Sequence, residues 1–264
     1  MSEKFNKVTQ CPGKTCTGYI YQWQGPQNSW ERDGFVPVPC PICDKGQVAK
    51  GALQAKEASE ALAEAERRLK QRLASFNLPT RLTGFSFDSY LASANGKQEW
   101  VKYAAHWLDQ WPGCHTGLVL AGDMGRGKTG LAVGMVCQLA SQLTKLTAYY
   151  INVANLLTQI SGAWARRDGS ECLLIDRLST VDLLVLDDLG AGHRAVEGDE
   201  RSPIRHLYEV LDTRYNYSRP TILTTNCKTE AAMMAVIGER NMDRVMDHCK
   251  FLKVTGSNLR QGVR

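Results

Sequence analysis

Beyond residue 80, short apolar runs rich in Val, Leu, Ile and Thr alternate with longer stretches whose apolar positions recur every three or four residues. Strands repeat every two residues and helices every 3.6, so the alternation predicts an α/β domain with a largely parallel sheet flanked by helices. The strand candidates are Gly117–Ala121, Ala148–Asn152, 182–187, Thr221–Thr225 and 251–254, with helices between them. Ahead of the first strand, Trp100, Tyr103, Ala104, Trp107, Leu108 and Trp111 fall on one helical face that stops at Pro112. Aromatic stripes can stack nucleic-acid bases, but this spacing favours a helix packed into a core.

The pattern changes twice before residue 80. From Gly51 to Phe76 the chain is dominated by Ala, Glu, Lys, Arg and Leu, and Leu62, Ala65, Leu69, Leu73 and Phe76 share a stripe. This predicts a connecting helix, ended by Asn77, Pro79 and Thr80. Its stripe can pack on its own chain or on a neighbouring protomer, and with only five positions its own chain is favoured. Residues 1–50 are instead rich in Gly, Pro and aromatics and read as a small module of short strands and turns. The expected division is a module over 1–50, a helical linker over 51–78 and a main domain over 79–264, without internal repeats.

A chain of 264 residues, 43% hydrophobic and 22% charged, has ample material for a packed core, which excludes wholesale disorder. No run approaches the roughly 18 uninterrupted apolar residues of a membrane span. Lys4, Lys7 and Lys14 lead into no apolar signal segment. A cytoplasmic protein without a membrane partner is the expectation. The 32 Lys and Arg against 27 Asp and Glu leave a formal charge of +5, which permits a phosphate-bearing partner without requiring one.

Leu118, Val119, Leu120 and Ala121 run into Gly122, Asp123, Met124, Gly125, Arg126, Gly127, Lys128 and Thr129, a complete G-x-x-x-x-G-K-[ST] match. After Thr129 and Gly130, the positions Leu131, Ala132, Met135, Val136, Leu139 and Leu143 take helical spacing, so buried strand, loop and helix N-terminus follow one another. Small residues let backbone N–H groups wrap a phosphate, Lys128 adds a point charge near the β/γ-phosphates, and the Thr129 hydroxyl can ligate Mg²⁺. Residues 122–130 are accordingly the candidate ATP/ADP-binding loop. A glycine-rich turn with a solvated lysine is the alternative, disfavoured by both flanks.

Further on, an apolar strand ends in Asp187 and Asp188. A parallel sheet brings strand ends to one edge. There Asp187 can hold Mg²⁺, and Asp188 can orient or deprotonate the water that attacks the γ-phosphate. The run Thr221–Thr225 delivers the Asn226 amide to the same edge, as a γ-phosphate or water sensor. Arg240, Arg244 and Arg260 come near the end; surface arginines are ordinarily solvated, so alone they carry little.

In this order the motifs resemble those of the AAA+ ATPases. Thr224-Thr225-Asn226, Gly238-Glu239-Arg240-Asn241-Met242-Asp243-Arg244 and Ser257-Asn258-Leu259-Arg260 resemble the branch that holds the bacterial helicase loaders of the DnaC/DnaI type and the related IstB transposition helper. The likeness covers residues 80–264. It implies an ATPase whose ATP binding and hydrolysis switch assembly and release, delivering a hexameric replicative helicase onto single-stranded DNA. It further implies Asn226 as sensor 1, Arg244 or else Arg240 as an arginine finger for a neighbour's nucleotide, Arg260 as sensor 2, and self-association through the ATPase domain. DNA contacts are implied near Arg166-Arg167 and over 190–205, with ordinary solvated surface as the alternative. Asp188 stands where Glu is commoner, which implies slow or partner-dependent hydrolysis. A transposition helper that recruits a transposase is the competing reading. A small-molecule kinase and a zinc protein without turnover are more distant ones.

Four of the nine cysteines, Cys11, Cys16, Cys40 and Cys43, form a Cys-x₄-Cys and a Cys-x₂-Cys pair within the first 43 residues. Two chelating pairs can close a tetrahedral Zn²⁺ site, and so small a segment has too little core to fold without such a staple. A redox Cys-x-x-Cys lacks its βαβ context here. No histidine precedes His106, which excludes a mixed Cys/His site. Tyr19, Tyr21, Trp23 and Trp30 can form the module's core, bind a protein or stack bases, the first two being favoured. Loaders carry an N-terminal helicase-binding domain, so the resemblance implies that role for this module and favours the loader reading. Cys114, Cys137, Cys172, Cys227 and Cys249 sit in apolar surroundings and read as core filler.

Overall fold

A computed structural model of the chain describes residues 19–23, 35–39, 44–84, 86–92, 98–190 and 204–256. The chain divides into two compact units, 1–68 and 69–264. In the first, β1 (Tyr19–Trp23) pairs antiparallel with β2 (Phe35–Pro39), Tyr19 opposite Pro39 and Trp23 opposite Phe35. Helix α1 (Asp44–Ser75) follows, beginning at Asp44 rather than at the change of composition at Gly51. Strong helix formers carry it although its surface is wet. Glu64 pairs with Arg67 at 2.7 Å and Arg68 at 2.6 Å, one helical turn away on the exposed surface.

The predicted stripe on α1 divides. In the second unit Leu69 and Leu73 pack against the core and Phe76 is buried, whereas Leu62 is 63% exposed. Arg72 fastens this end by donating to the Thr144 and Ala140 carbonyls.

A short turn at Thr80–Leu82 leads to α2 (Phe87–Ala92), α3 (Glu99–Asp109), β3 (Gly117–Ala121), α4 (Lys128–Gln142), β4 (Ala148–Asn152), α5 (Val153–Arg166) and α6 (Ser170–Thr180). Then come β5 (Leu183–Leu189), α7 (Ile204–Asn216), β6 (Thr221–Thr225), α8 (Glu230–Ile237), α9 (Glu239–His248) and β7 (Cys249–Lys253). The five strands β3 to β7 form one sheet in the order β4-β5-β6-β3-β7, with every neighbouring pair parallel.

Alternation along the strands builds two cores. Leu118, Leu120, Val185 and Ile222 face α3 and α4, while Val119, Leu184, Leu186 and Leu223 face α5, α7 and α9. A sheet covered on both faces needs strands apolar at every position, which is what these runs supply. The aromatic stripe belongs to the core: Trp100 and Trp107 are buried, and Trp107 donates its Nε1–H to the Thr116 carbonyl at 2.7 Å. Three strands end as expected. β5 continues two residues past Asp187, and β7 starts at Cys249, opposite Gly117. Only glycine fits at 117, because a Cβ there would lie 2.5 Å from the Thr221 carbonyl oxygen and 2.6 Å from the Cys249 sulfur. Among the described cysteines Cys114 is buried, but Cys172 on α6 is exposed and is not core filler. No helix among the described residues is long and apolar enough to cross a membrane.

His248, at the end of α9, lies with Nε2 3.2 Å from the Arg219 carbonyl and its ring edge-on to Tyr215. Burial pushes its pKa below the ordinary 6.5, against the opposing pull of that carbonyl. The unfolded chain then binds more protons than the folded one just below pH 6.5. The stabilisation is full above that value and is lost as the pH falls through it. Thermal unfolding is expected at lower temperature near pH 5.5 than near pH 7.5, and His248→Gln should flatten that part of the profile.

Candidate nucleotide-binding site

Strand β3 delivers the loop of residues 122–127 to the carboxyl edge of the sheet, and α4 begins at Lys128. A Cβ at Gly122 would meet the Val254 carbonyl oxygen at 2.4 Å, so the loop can leave β3 beside β7 only with glycine there. Gly125 and Gly127 both take φ 81°, a left-handed conformation that side chains resist. Gly127 is the helix N-cap and has no side chain to satisfy the first-turn N–H groups. Those groups suit an anion.

Lys128 is 8% exposed. Its Nζ donates to the Gly122 carbonyl at 2.7 Å, the Asp123 carbonyl at 2.9 Å and Asn226 Oδ1 at 2.8 Å. Asn226 in turn donates from Nδ2 to Asp188 Oδ1 at 3.1 Å. The amide therefore joins the ammonium to a carboxylate. Thr129 donates to Asp187 Oδ1 at 2.8 Å. Asp187 is 5% exposed; Thr224 donates to the same Oδ1 at 2.6 Å and the Tyr150 hydroxyl to Oδ2 at 2.6 Å. A buried carboxylate needs such donors to offset lost hydration. The pairing of β5 with β6 slips between Leu186 and Leu189, and Asp188 sits in that bulge at φ 58°. Its backbone N–H donates to Thr224 Oγ1 at 2.9 Å. Asp tolerates the left-handed region better than most residues, which gives the shorter acid at this position a structural reason.

The remaining loop residues face outward. Met124 is 71% exposed, Asp123 pairs with Lys228 at 3.3 Å, and Arg126 donates to the Gly256 carbonyl. Beside the loop opens a cavity of about 740 Å³, lined by Gly122, Asp123, Arg126, Thr225, Lys228, Val254 and Gly256 among others. It is large enough for a nucleoside.

Lys128, Thr129, Asp187, Asp188 and Asn226 thus form one connected cluster. Arg244 has other partners: it donates to Asp212 Oδ1 at 2.8 Å and lies 4.9 Å from the Tyr215 ring centroid, both on α7. The Asp212 carboxylate raises the pKa of its guanidinium further. Arg240 is exposed. Arg166 is exposed and tied to Asp168 at 2.5 Å, and Arg167 is exposed. Arg260 and the four zinc-candidate cysteines Cys11, Cys16, Cys40 and Cys43 lie outside the described residues. Among the described residues no group of three or more His, Cys, Asp or Glu side chains could hold a metal. The adjacent Thr129 hydroxyl and Asp187 carboxylate fit Mg²⁺ all the same, since that ion needs only one or two protein oxygens when phosphates supply the rest.

The family model described as IstB-like ATP binding protein matches residues 50–264. The chain belongs to that family. IstB-like proteins are AAA+ ATP-binding proteins, and the five-stranded parallel sheet of this member is theirs. Over 160 residues, 61% of this chain and 62% of the relative, it is 28% identical to the replicative helicase loader DnaC of Escherichia coli strain K12. The chain thus spans less than two thirds of the length of that relative. It is 32% identical over 147 residues, 55% of this chain and 54% of the other, to a putative ATP-binding protein of insertion sequence IS1162 from Pseudomonas fluorescens. In fold it is similar to the crystal structure of the DnaC helicase loader, with TM-score 0.57, 19% identity, and 67% of this chain and 100% of that one covered. A crystal structure of DnaI gives TM-score 0.56 at 22% identity, covering 67% of this chain and 94% of that one.

The sequence assigns no role of their own to two polar residues of this IstB-like site, one of them inside the Thr224-Thr225-Asn226 run. Tyr150 reads as one more aromatic in a strand and Thr224 as one more β-branched residue, yet both hold Asp187. The available signal is parity. Asn152 pairs with Asp187 across β4 and β5, so Tyr150, two residues earlier, points to the same face.

Proposed function

We propose that this chain is an ATP-driven loader of the hexameric replicative DNA helicase onto single-stranded DNA, with ATP binding and hydrolysis as the switch between assembly and release. The observation that carries the reading is the run Lys128, Asn226, Asp188, in which a cation, an amide and a carboxylate are hydrogen-bonded in series beside the Thr129–Asp187 pair. Relatedness to a protein named for helicase loading supports the replicative helicase as partner.

In this reading the N–H groups of residues 125–130 hold the phosphates, and Lys128 turns from the Gly122 and Asp123 carbonyls to the β/γ-oxygens. Thr129 and Asp187 would hold Mg²⁺, which supplies neutralising charge at the phosphate oxygens. Asn226 orients the attacking water. Asp188 takes that water's proton as its oxygen bonds to the γ-phosphorus and the bond to the β–γ bridging oxygen breaks, leaving ADP and phosphate. Asp188→Asn keeps the shape but cannot accept the proton. It is expected to retain nucleotide affinity and lower turnover by at least roughly a hundredfold; unchanged single-turnover kinetics would remove the base from this position.

Arg244 serves a neighbouring subunit's nucleotide as arginine finger, leaving Asp212 on assembly, and Arg260 is sensor 2. Arg244→Ala is expected to bind nucleotide normally and to lose assembly-dependent hydrolysis by about a thousandfold. Full activity in that variant would move the finger to Arg240. Cys11, Cys16, Cys40 and Cys43 hold Zn²⁺ in a helicase-binding module over 1–50, joined by a linker over 51–78 to the ATPase domain over 79–264.

The test is a loading assay on circular single-stranded DNA coated with single-strand-binding protein, read as unwinding of an annealed oligonucleotide. Unwinding that requires helicase, this chain and ATP together is the expected result; unwinding indifferent to the chain overturns the reading. The family description and the 32% identity to an insertion-sequence protein favour a second reading, an ATPase helper of transposition. Stimulated strand transfer by a transposase, with no effect on helicase loading, would make that the function.

A further inference from the structure

Asp187 accepts three hydroxyl donors, and only two come from motif positions. The third is Tyr150 on β4, 8% exposed, whose hydroxyl meets Oδ2 at 2.6 Å while Thr129 and Thr224 share Oδ1. We propose that Tyr150 is a positioning residue for the metal-nucleotide complex, fixing the Asp187 carboxylate so that Oδ1 and the Thr129 hydroxyl face the phosphate loop together. The proposal rests on the nucleotide-site reading above.

The geometry gives the hydroxyl this role. A carboxylate held at one oxygen can still turn about its last torsion; held at both, it cannot. Thr224 cannot do the work of Tyr150, because it bonds the same oxygen as Thr129. Tyr150 is itself held through its backbone. Its backbone N–H donates to the Phe76 carbonyl at 2.8 Å and its carbonyl accepts from Asn77 Nδ2 at 2.9 Å, so the chain after α1 clamps the exposed edge of β4. A carboxylate oxygen can only accept, so at 2.6 Å from Oδ2 the phenol hydroxyl is the donor. With its proton committed to Asp187, the hydroxyl is no nucleophile and no base. Second-sphere donors of this kind set metal affinity rather than fold.

Tyr150→Phe removes one oxygen and keeps the ring. Binding of a fluorescent ADP is followed as Mg²⁺ is titrated, and separately in EDTA. The Phe variant is expected to need at least about tenfold more Mg²⁺ for half-saturation, with affinity in EDTA within about twofold of the unaltered protein. Binding in EDTA also reports that the variant is folded. 3-Fluorotyrosine at position 150 retains the donor and is expected to restore the original Mg²⁺ dependence. An unchanged Mg²⁺ requirement in Tyr150→Phe overturns the proposal, as does an equal defect in the fluorotyrosine protein, which would assign the effect to the ring. An unaltered protein that binds nucleotide without any response to Mg²⁺ would overturn the metal role of Asp187 itself, a failure distinct from that of Tyr150.

Discussion

Lys128→Ala is expected to weaken ATP and ADP binding by roughly thirtyfold to several thousandfold, the equivalent of about 2–5 kcal/mol for removing one partner of a buried, hydrogen-bonded charge pair. Lys128 is 8% exposed, and its ammonium already sits where its protons converge on the loop, on the Gly122 and Asp123 carbonyls and on Asn226. Phosphate oxygens replace neutral acceptors with charged ones at the same nitrogen, and charge-assisted bonds are about twice as strong. Alanine leaves the anion facing backbone N–H groups alone. It also leaves Asn226 without its ammonium partner, so that amide loses its link to the loop. The fold should survive, because Gly122 and Asp123 border the cavity, where water can reach their carbonyls. Calorimetric titration with ADP checks the affinity; a dissociation constant within threefold of the unaltered protein would separate this loop from nucleotide binding.

The largest effect on stability is expected from Arg214→Leu, a loss of about 3–5 kcal/mol, or roughly 6–20 °C in Tm for a domain of this size. Arg214 lies on α7, 1% exposed. Its guanidinium donates to Thr221 Oγ1 at 2.8 Å and to the carbonyls of Leu178 at 2.9 Å, Val181 at 2.7 Å, Asp182 at 3.3 Å and Pro220 at 2.6 Å. These acceptors close the end of α6 and the approaches to β5 and β6. One planar cation therefore satisfies the backbone where two strands enter the sheet. Burial lowers its pKa to about 9, and it is still charged at neutral pH. Leucine fills much of the space but donates nothing, leaving buried carbonyls unpaired. Because this knot is at the opposite edge from the phosphate loop, folded Arg214→Leu should bind nucleotide normally at low temperature. A Tm within about 2 °C of the unaltered protein would mean that water replaces the guanidinium.

What could be foreseen from the chain divides along physical lines. The phosphate loop, Asp187 and Asn226 are legible because each sits at the end of an apolar strand, and a parallel sheet gathers such ends whatever the intervening helices do. Strand positions 117–121, 148–152 and 221–225 are legible for the same reason: they are apolar on both faces and bounded by helical periodicity. The extension of β5 to Leu189 was not, since the bulge at Asp188 depends on Thr224 of another strand. Tyr150 and Thr224 reach Asp187 only through register, which composition does not encode. Arg214 reads in sequence as one charge on an amphipathic helix; its acceptors come from α6 and two strand entrances distant in the chain. The tie between Arg244 and Asp212 is likewise a tertiary contact, between α9 and α7.

Helicase loading begins with a complex, which native mass spectrometry of this protein mixed with its host's replicative helicase, with ATP, with ADP and without nucleotide, would detect. A helicase hexamer carrying copies of the chain in ATP, with the complex lost when Lys128 is replaced by Ala, is the predicted result. Free hexamer and free chain under every nucleotide condition, from components each shown to be folded, would contradict it.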